Sequence, residues 1–477
     1  MLVFSPERSS PAMPLPFHHA ELLFIEGNRH LHDGDHGTAE ACFVQARALA
    51  PDRAEIWANL AFLKECTGLL AEAETCYRKA LLLLPDNQQI VQNLGLLLLK
   101  TRRFAEAERL CRLAVELAGE GELASALSNL GVLLACTKRE AEAERCYREA
   151  IAVDAAYAKT RVNLSYLVLR QGRMDEGWAM LEYRTQSPVL AAYFNCPRWS
   201  GQALDGKSLV IALESGHGDL IQFCRYIPLL KSVCSTLHIT LICHPALKTL
   251  LATLAGVDRL YALNEVIPPT HWDYWVPVLS LPGLCGTRLD TIPAPIPYLA
   301  ADPERVAYWA AHLCTDRLKV GLVWKGNPDF ENDIERSLPS LATLDLLAAV
   351  PGVQFVSLQK GPGQDDTSAA LDLLPLGAGL IDFADTAALI VNLDLVISVD
   401  TAVAHLAGAL GKPCWVLLPD YRCDWRWLAG RVETPWYPGI MRLFRQHDAA
   451  EWGPLIGAVA SSLQRRSEDH MSGDFQR

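Results

Sequence analysis

None of the fourteen cysteines of this 477-residue chain forms a CxxC pair or a Cys/His cluster at zinc spacing, so a structural zinc module is set aside. Several, such as Cys42, Cys76 and Cys146, fall at helix-core positions and read as buried free thiols of a reducing cytosol. A long Lys/Arg block is also missing. With a net charge of −12, the chain is disfavoured as a binder of nucleic acid or of an anionic membrane. No uncharged apolar run reaches membrane-spanning length, and LGLLLLK at 94–100 is far too short. Residues 1–19 lack a continuous apolar stretch of the secretory type and read as a flexible lead-in, which together with the missing span points to a cytoplasmic protein. Nor does a carboxylate pair follow a strand in the way that would hold a divalent ion; the acidic Asp33 and Asp35 lie in a helix–helix turn, and no metal is expected.

What is present is a chain half hydrophobic and long enough for about three domains. Its most informative stretch is LDLVISVDTAVAHLAGALGKPCWVLL at 393–418. An apolar strand ends at Ser398, Asp400 and Thr401 supply N-cap chemistry, Gly411 suits a helix C-terminus, and Pro413 precedes the next strand. Strand, turn, helix and strand imply a parallel sheet, in which a ligand settles at the carboxyl ends of the strands and an anion at the helix N-terminus. His405 lies one turn in, on the face of Thr401.

Residues 20–184 repeat with a period near 34, the tetratricopeptide (TPR) period of stacked helix pairs. Small residues recur at Ala39, Ala73, Ala107 and Ala143, a larger partner at Phe43, Tyr77, Cys111 and Tyr147, and a second alanine at Ala46, Ala80, Ala114 and Ala150. Pro51 and Pro85 end two units. A fifth unit at about 158–184 carries Gly177-Trp178 in place of the small pair and reads as an adaptor. Asn59, Asn93, Asn129 and Asn163 share one register on successive first helices, Ile25 breaking the series, and stacking is expected to line them along one surface. Such amides can grip an extended peptide backbone, or they can be repeat consensus.

Residues 185–206 have linker chemistry, after which short apolar runs alternate with helices. Strands are expected at 207–213, 237–243 and 257–263 with helices at about 219–233 and 245–254, one Rossmann-like half over 207–300. The Pro-rich stretch 289–304 behaves as a semi-rigid linker. KVGLVWKG, VQFVSLQK, the 393–399 run and CWVLLP then build a second half over 301–466, whose closing helix at about 449–464 is expected to pack back onto the first, leaving a tail at 467–477. The fold class is therefore α plus α/β: an N-terminal α-solenoid, then two Rossmann-like halves.

The ordered motifs ESGHGDLIQFCRY at 214–226, GLVWKGNP at 321–328, RSLP at 336–339, SLQKG at 357–361, DFADTAAL at 382–389, SVDTAVAHLAGALGKP at 398–413, DWRWL at 424–428 and WYPGIMRLFRQ at 436–446 complete the pattern. The whole resembles bacterial proteins that join TPR repeats to a GT-B glycosyltransferase domain of the heptosyltransferase (family 9) type. The resemblance implies a nucleotide-sugar donor, no further cofactor, and a protein or glycan acceptor presented by the repeat arm. It assigns Asp219 as the base, and the residue-level alternative is a helix cap. His217 is a second base candidate, and Glu214, Gln222 and Arg225 are acceptor contacts or a polar helix face. It places the donor diphosphate against Thr401, Ala402 and His405, with Asp400 on sugar hydroxyls; many related sequences carry Gly where Ala402 stands, whose methyl narrows the space there. Lys325 and Arg336, and equally Lys360, are cations for the leaving diphosphate or ordinary surface charges. Trp425, Trp427, Trp436 and Tyr437 stack on a ligand or fill the core. The Asn series resembles the ladder in the TPR domain of eukaryotic O-GlcNAc transferases. An inverting, metal-independent glycosyltransferase is the first reading, a TPR scaffold with an inactive GT-B domain the second, and an epimerase of GT-B shape the third.

Overall fold

The computed structural model describes residues 15–184, 191–268, 271–313, 315–447 and 451–472. The lead-in at 1–14, the first part of the linker and the end of the tail lie outside them. Packing divides the chain into two compact units, Met1–Leu164 and Ser165–Arg477.

The first unit is a run of paired helices: α1 (Leu15–His32), α2 (His36–Leu49), α3 (Ala54–Cys66), α4 (Leu70–Leu83), α5 (Gln88–Lys100), α6 (Phe104–Leu117), α7 (Leu123–Cys136) and α8 (Glu140–Val153), with α9 (Ala158–Arg170) crossing the division between units. All twelve small and aromatic repeat positions read from the sequence are buried. Steric reasons are visible. A Cβ added to Gly27 would stand 2.7 Å from the Phe43 ring, and one on Gly131 2.5 Å from the Tyr147 ring, so each aromatic sits where its partner helix has no side chain. The turn inside each pair needs one left-handed residue, filled by Gly34, Gly68 and Gly172 but by Arg102 and Lys138 in the other two repeats. On the second helices, Arg103 pairs with Glu74 and Glu106, and Arg139 bridges Glu108 and Glu142 at 2.7 Å, tying neighbouring repeats together.

The four asparagines share a register but do not form an exposed ladder. Asn59 and Asn93 are each 1% exposed and Asn129 6%. Asn59 Nδ2 donates to Asn28 Oδ1 at 2.6 Å and Asn163 Nδ2 to Ser128 Oγ at 3.3 Å, so these amides bond within the solenoid.

The second unit opens with the end of α9 and with α10 (Met174–Leu181), then builds two all-parallel sheets. The first, ordered β3-β2-β1-β4, comprises β1 (Ser208–Ala212), β2 (His238–Cys243), β3 (Arg259–Ala262) and β4 (Tyr274–Pro277). The second, ordered β10-β9-β8-β5-β6-β7, comprises β5 (Leu318–Val323), β6 (Val353–Ser357), β7 (Leu373–Leu374), β8 (Leu395–Val399), β9 (Cys414–Leu418) and β10 (Met441–Arg445). These are the two Rossmann-like halves of a GT-B domain. Helices that matter for the site are α11 (His217–Phe223) and α12 (Tyr226–Val233) after β1, α13 (Phe383–Val391), α14 (Ala402–Ala409) after β8, and the closing α15 (Gly453–Ser472).

Two expectations are corrected here. Leu455, Ile456, Val459 and Leu463 of α15 share one core with Val320, Phe355 and Leu395, so the closing helix packs on the second half. Ser467 Oγ donates to Pro351 O at 2.6 Å at the same interface. The adaptor helix is likewise part of the second unit: Leu169, Met174, Trp178 and Leu181 lie in its main core, where the sequence boundary stood at 184.

Candidate functional site

The carboxyl ends of β1 and β8 bring α11 and α14 together. Their contact requires a residue without a side chain: a Cβ on Gly218 would meet His405 Cδ2 at 3.1 Å and the Ala402 Cα at 3.4 Å. Gly216 is the N-cap of α11, and Asp219, at the third helical position, accepts its backbone N–H at Oδ2, 2.8 Å away. Ser215, just before, has φ +70°, a left-handed conformation that a non-glycine residue adopts at an energetic cost. The N-cap expected at Asp219 is Gly216, so the helix starts three residues earlier and Asp219 supports the cap from inside the first turn. Its other oxygen does something else.

Asp219 Oδ1 accepts from Arg426 Nη2, an ion pair between groups that are 18% and 11% exposed. Arg426 Nη1 also donates to both oxygens of Asp424 at 3.0 and 3.1 Å, and Nε to Gln222 Oε1 at 2.7 Å. Its guanidinium lies 4.5 Å from the Trp425 ring and 5.4 Å from that of Phe223. Within the motif DWRWL the one sequence signal for this residue is a lone Arg between two tryptophans after a strand, and it is not among the candidate residues above.

Across from it, Thr401 occupies the N-cap of α14, but its hydroxyl pairs with Ser398 Oγ at 3.0 Å and does not cap the helix. The expected N-cap chemistry is therefore not made by the side chain, which leaves the first-turn N–H groups to other acceptors. Burial, and next the negative Asp424, raise the Asp400 carboxyl to about 6 against the pull of Arg336 and Arg426. His405 is 5% exposed, stacked 5.2 Å from Trp427 and bonded through Nδ1 to the Tyr437 hydroxyl at 3.0 Å. Burial keeps its imidazole neutral. His405, placed against the donor diphosphate by the resemblance, is thus a core histidine beneath the helix start.

Other assigned roles also change with burial. Gln222 and Arg225 do not face an acceptor channel: Arg225 donates to Trp436 O at 2.7 Å and the Tyr298 hydroxyl at 3.1 Å, and both side chains are buried. Glu214 is buried in a two-pronged pair with Arg184, both bonds 2.8 Å. His217 packs between His244 and Phe383, and burial with the charge of His244 lowers it to about 4, making it a weak base. Trp425, Trp427, Trp436 and Tyr437 are core. Lys325 Nζ reaches Pro339 O at 3.3 Å, Arg336 Nε reaches Asp333 Oδ1 at 3.1 Å, and Lys360 donates to Leu380 O. Among the described residues no group of three or more His, Cys, Asp or Glu side chains could hold a metal ion, and no helix is long and apolar enough to cross a membrane.

Two family models for the tetratricopeptide repeat match residues 54–87 and 87–156, and the model of glycosyltransferase family 9 (heptosyltransferase) matches 375–417. The chain therefore carries TPR repeats in its N-terminal part and a glycosyltransferase family 9 domain in its C-terminal part, and the latter match contains β8, α14 and most of β9. Protein FlbA of Caulobacter vibrioides is 33% identical over 328 residues, 62% of this chain and 54% of FlbA. The chain thus spans about half the length of this curated relative. Solved structures with likeness to the chain include pilF of Pseudomonas aeruginosa, at 19% identity over 35% of this chain and 77% of that one, TM-score 0.33. MamA of Desulfovibrio magneticus RS-1 matches at 20% identity over 39% and 99%, TM-score 0.31.

Proposed function

We propose that this chain transfers a sugar from a nucleotide-sugar to a protein or glycan acceptor, with inversion and without a metal ion, the TPR arm binding the acceptor or a partner. One observation carries the reading: the uncapped start of α14 and Asp400, inside the segment that resembles glycosyltransferase family 9, meet the first turn of α11, which carries Asp219, at Gly218. The donor diphosphate lies at Thr401 and Ala402 on the first turn of α14, with Asp400 on sugar hydroxyls and His405 supporting the turn from beneath. Lys325, in the loop after β5, and Arg336, at the end of the short helix Asp333–Arg336, add positive charge. Asp219 takes the proton of the acceptor hydroxyl as its oxygen bonds to the anomeric carbon, and the bond to the diphosphate breaks with its electron pair passing to the phosphate oxygen.

The bonding of both Asp219 oxygens also favours a second reading, in which the GT-B domain is a binding scaffold and the carboxylate is structural. Turnover separates the two. A panel of nucleotides and nucleotide-sugars should include one that raises the melting temperature by selective binding. With that donor, Asp219→Asn should cut turnover by about 10²–10⁴-fold, the usual contribution of a positioned base. A binding donor with no transfer, or near-wild-type turnover in Asp219→Asn, supports the scaffold or another base respectively.

A further inference from the structure

We infer that Arg426 is a catalytic cation for which Asp219 and the donor diphosphate compete, so that donor binding itself frees the base. This rests on the proposed glycosyl transfer and goes beyond it by naming the missing cation and an order of binding, donor before acceptor.

The bonding of Arg426 carries the argument. Its Nε and Nη2 edge, the edge that would take two phosphate oxygens side by side, is spent on Gln222 and Asp219, while Nη1 is held by Asp424. Trp425 and Phe223 grip the guanidinium through their rings, contacts that constrain its plane less than its hydrogen-bond partners. The head group can therefore change acceptors without leaving its seat. Gln222 supplies a second, independent observation. Its side chain is fully buried, its Oε1 is bonded to Arg426, and its Nε2 has no hydrogen-bond partner among the described residues. A buried amide donor without an acceptor, beside a guanidinium, marks a place where an oxygen-rich anion would complete the bonding.

Charge points the same way. Asp219, Asp400 and Asp424 surround Arg426, so its positive charge is already neutralised by carboxylates with which an incoming diphosphate must compete. Burial chiefly raises the Asp400 carboxyl, and the neighbouring negative Asp424 adds to it. If the guanidinium turns from Asp219 to the diphosphate, the anion gains its cation and Asp219 loses the donor that masks it, leaving a carboxylate free to take the acceptor proton. On departure of the nucleoside diphosphate the ion pair re-forms. No proton or electron is unaccounted for in this exchange; only hydrogen-bond partners change.

The test is calorimetric titration of inorganic diphosphate into the full-length chain. Arg426→Lys and Arg426→Ala should weaken binding by about 10- to 100-fold, the loss of charge-assisted hydrogen bonds. The diagnostic variant is Asp219→Asn, which removes the competitor while keeping the side chain's shape and should tighten diphosphate binding by about 5-fold or more. It remains informative even if Arg426→Ala fails to fold. Unchanged or weaker affinity in Asp219→Asn, or no diphosphate binding to the wild type, overturns the inference. Loss of turnover in Asp219→Asn with unchanged diphosphate affinity would leave the glycosyltransferase reading intact and remove the competition alone.

Discussion

At the scale of single residues, Asp400 gives a pH dependence whose sign is fixed by its environment. Its carboxyl is raised from an ordinary 3.8 to about 6, first by burial and then by Asp424. Between those values the folded chain holds a proton that the unfolded chain has released, so stability falls as pH rises through this window and the penalty is complete above it. Asp400→Asn lacks the penalty. Urea unfolding should show the variant gaining on wild type by roughly 1–3 kcal/mol between about pH 4 and pH 7. Parallel curves over that range would mean that Asp400 is not held out of its charged state. His217, lowered to about 4, acts oppositely and withdraws stability as pH falls below its ordinary 6.5, so the comparison with wild type at each pH is what isolates Asp400. The sequence placed Asp219, Asp400 and Thr401 at strand ends because strand-turn-helix patterns are local. It could not weigh Arg426, whose partner Asp219 is 207 positions away, nor see that Gln222 near the end of α11 and Arg225 in the turn after it are both buried.

At the scale of elements, the repeat turn offers a direct check of backbone strain. Gly34, Gly68 and Gly172 fill the left-handed position, while Lys138 holds φ +62° there despite its Cβ. Lys138→Gly should therefore stabilise the chain by about 0.5–1 kcal/mol, the strain relieved less the added flexibility of the unfolded chain. Thermal unfolding that shows a loss would place the strain elsewhere. Gly131→Ala should do the reverse: helix propensity gains about 1 kcal/mol, but a Cβ 2.5 Å from the Tyr147 ring overpacks the pair by about 1–3 kcal/mol. Gly95 faces the Cys111 sulfur at 3.2 Å, so its alanine variant should be near neutral. The register behind these contrasts was readable because size alternation at helix contacts is a sequence property. Burial of the asparagines was not, since a shared register says which residues align and not whether neighbouring helices cover them. The missed strands fit the same account. β7 has two residues, β10 alternates exposed Arg442 with buried neighbours at a sheet edge, and β4 runs into Pro277.

At the scale of the molecule, the division between units falls inside α9, twenty positions before the boundary legible from composition. Composition marks where helical periodicity stops, whereas folding units end where the core ends. Trp178 shows the difference: its indole donates to Thr287 O at 2.8 Å and meets the Trp425 ring edge-on at 5.3 Å, deep among residues of the GT-B domain. Arg184 closes the segment by neutralising the buried Glu214. A fragment begun at residue 185 would lose both. Removing a buried Trp costs about 3–5 kcal/mol. Leaving a buried carboxylate without its guanidinium costs about the same again. Against a typical domain stability of about 5–15 kcal/mol, little would remain. A fragment of residues 158–477, which keeps α9 and α10 whole, should therefore unfold cooperatively in urea, and one of residues 185–477 should aggregate or melt without a sharp transition. Because Trp425 borders Arg426, the shorter fragment should also lose any diphosphate binding that the longer one retains. A cooperative melt from the fragment begun at 185 would show that the adaptor is accessory to the second unit, and that the sequence boundary, not the packing boundary, marks the domain.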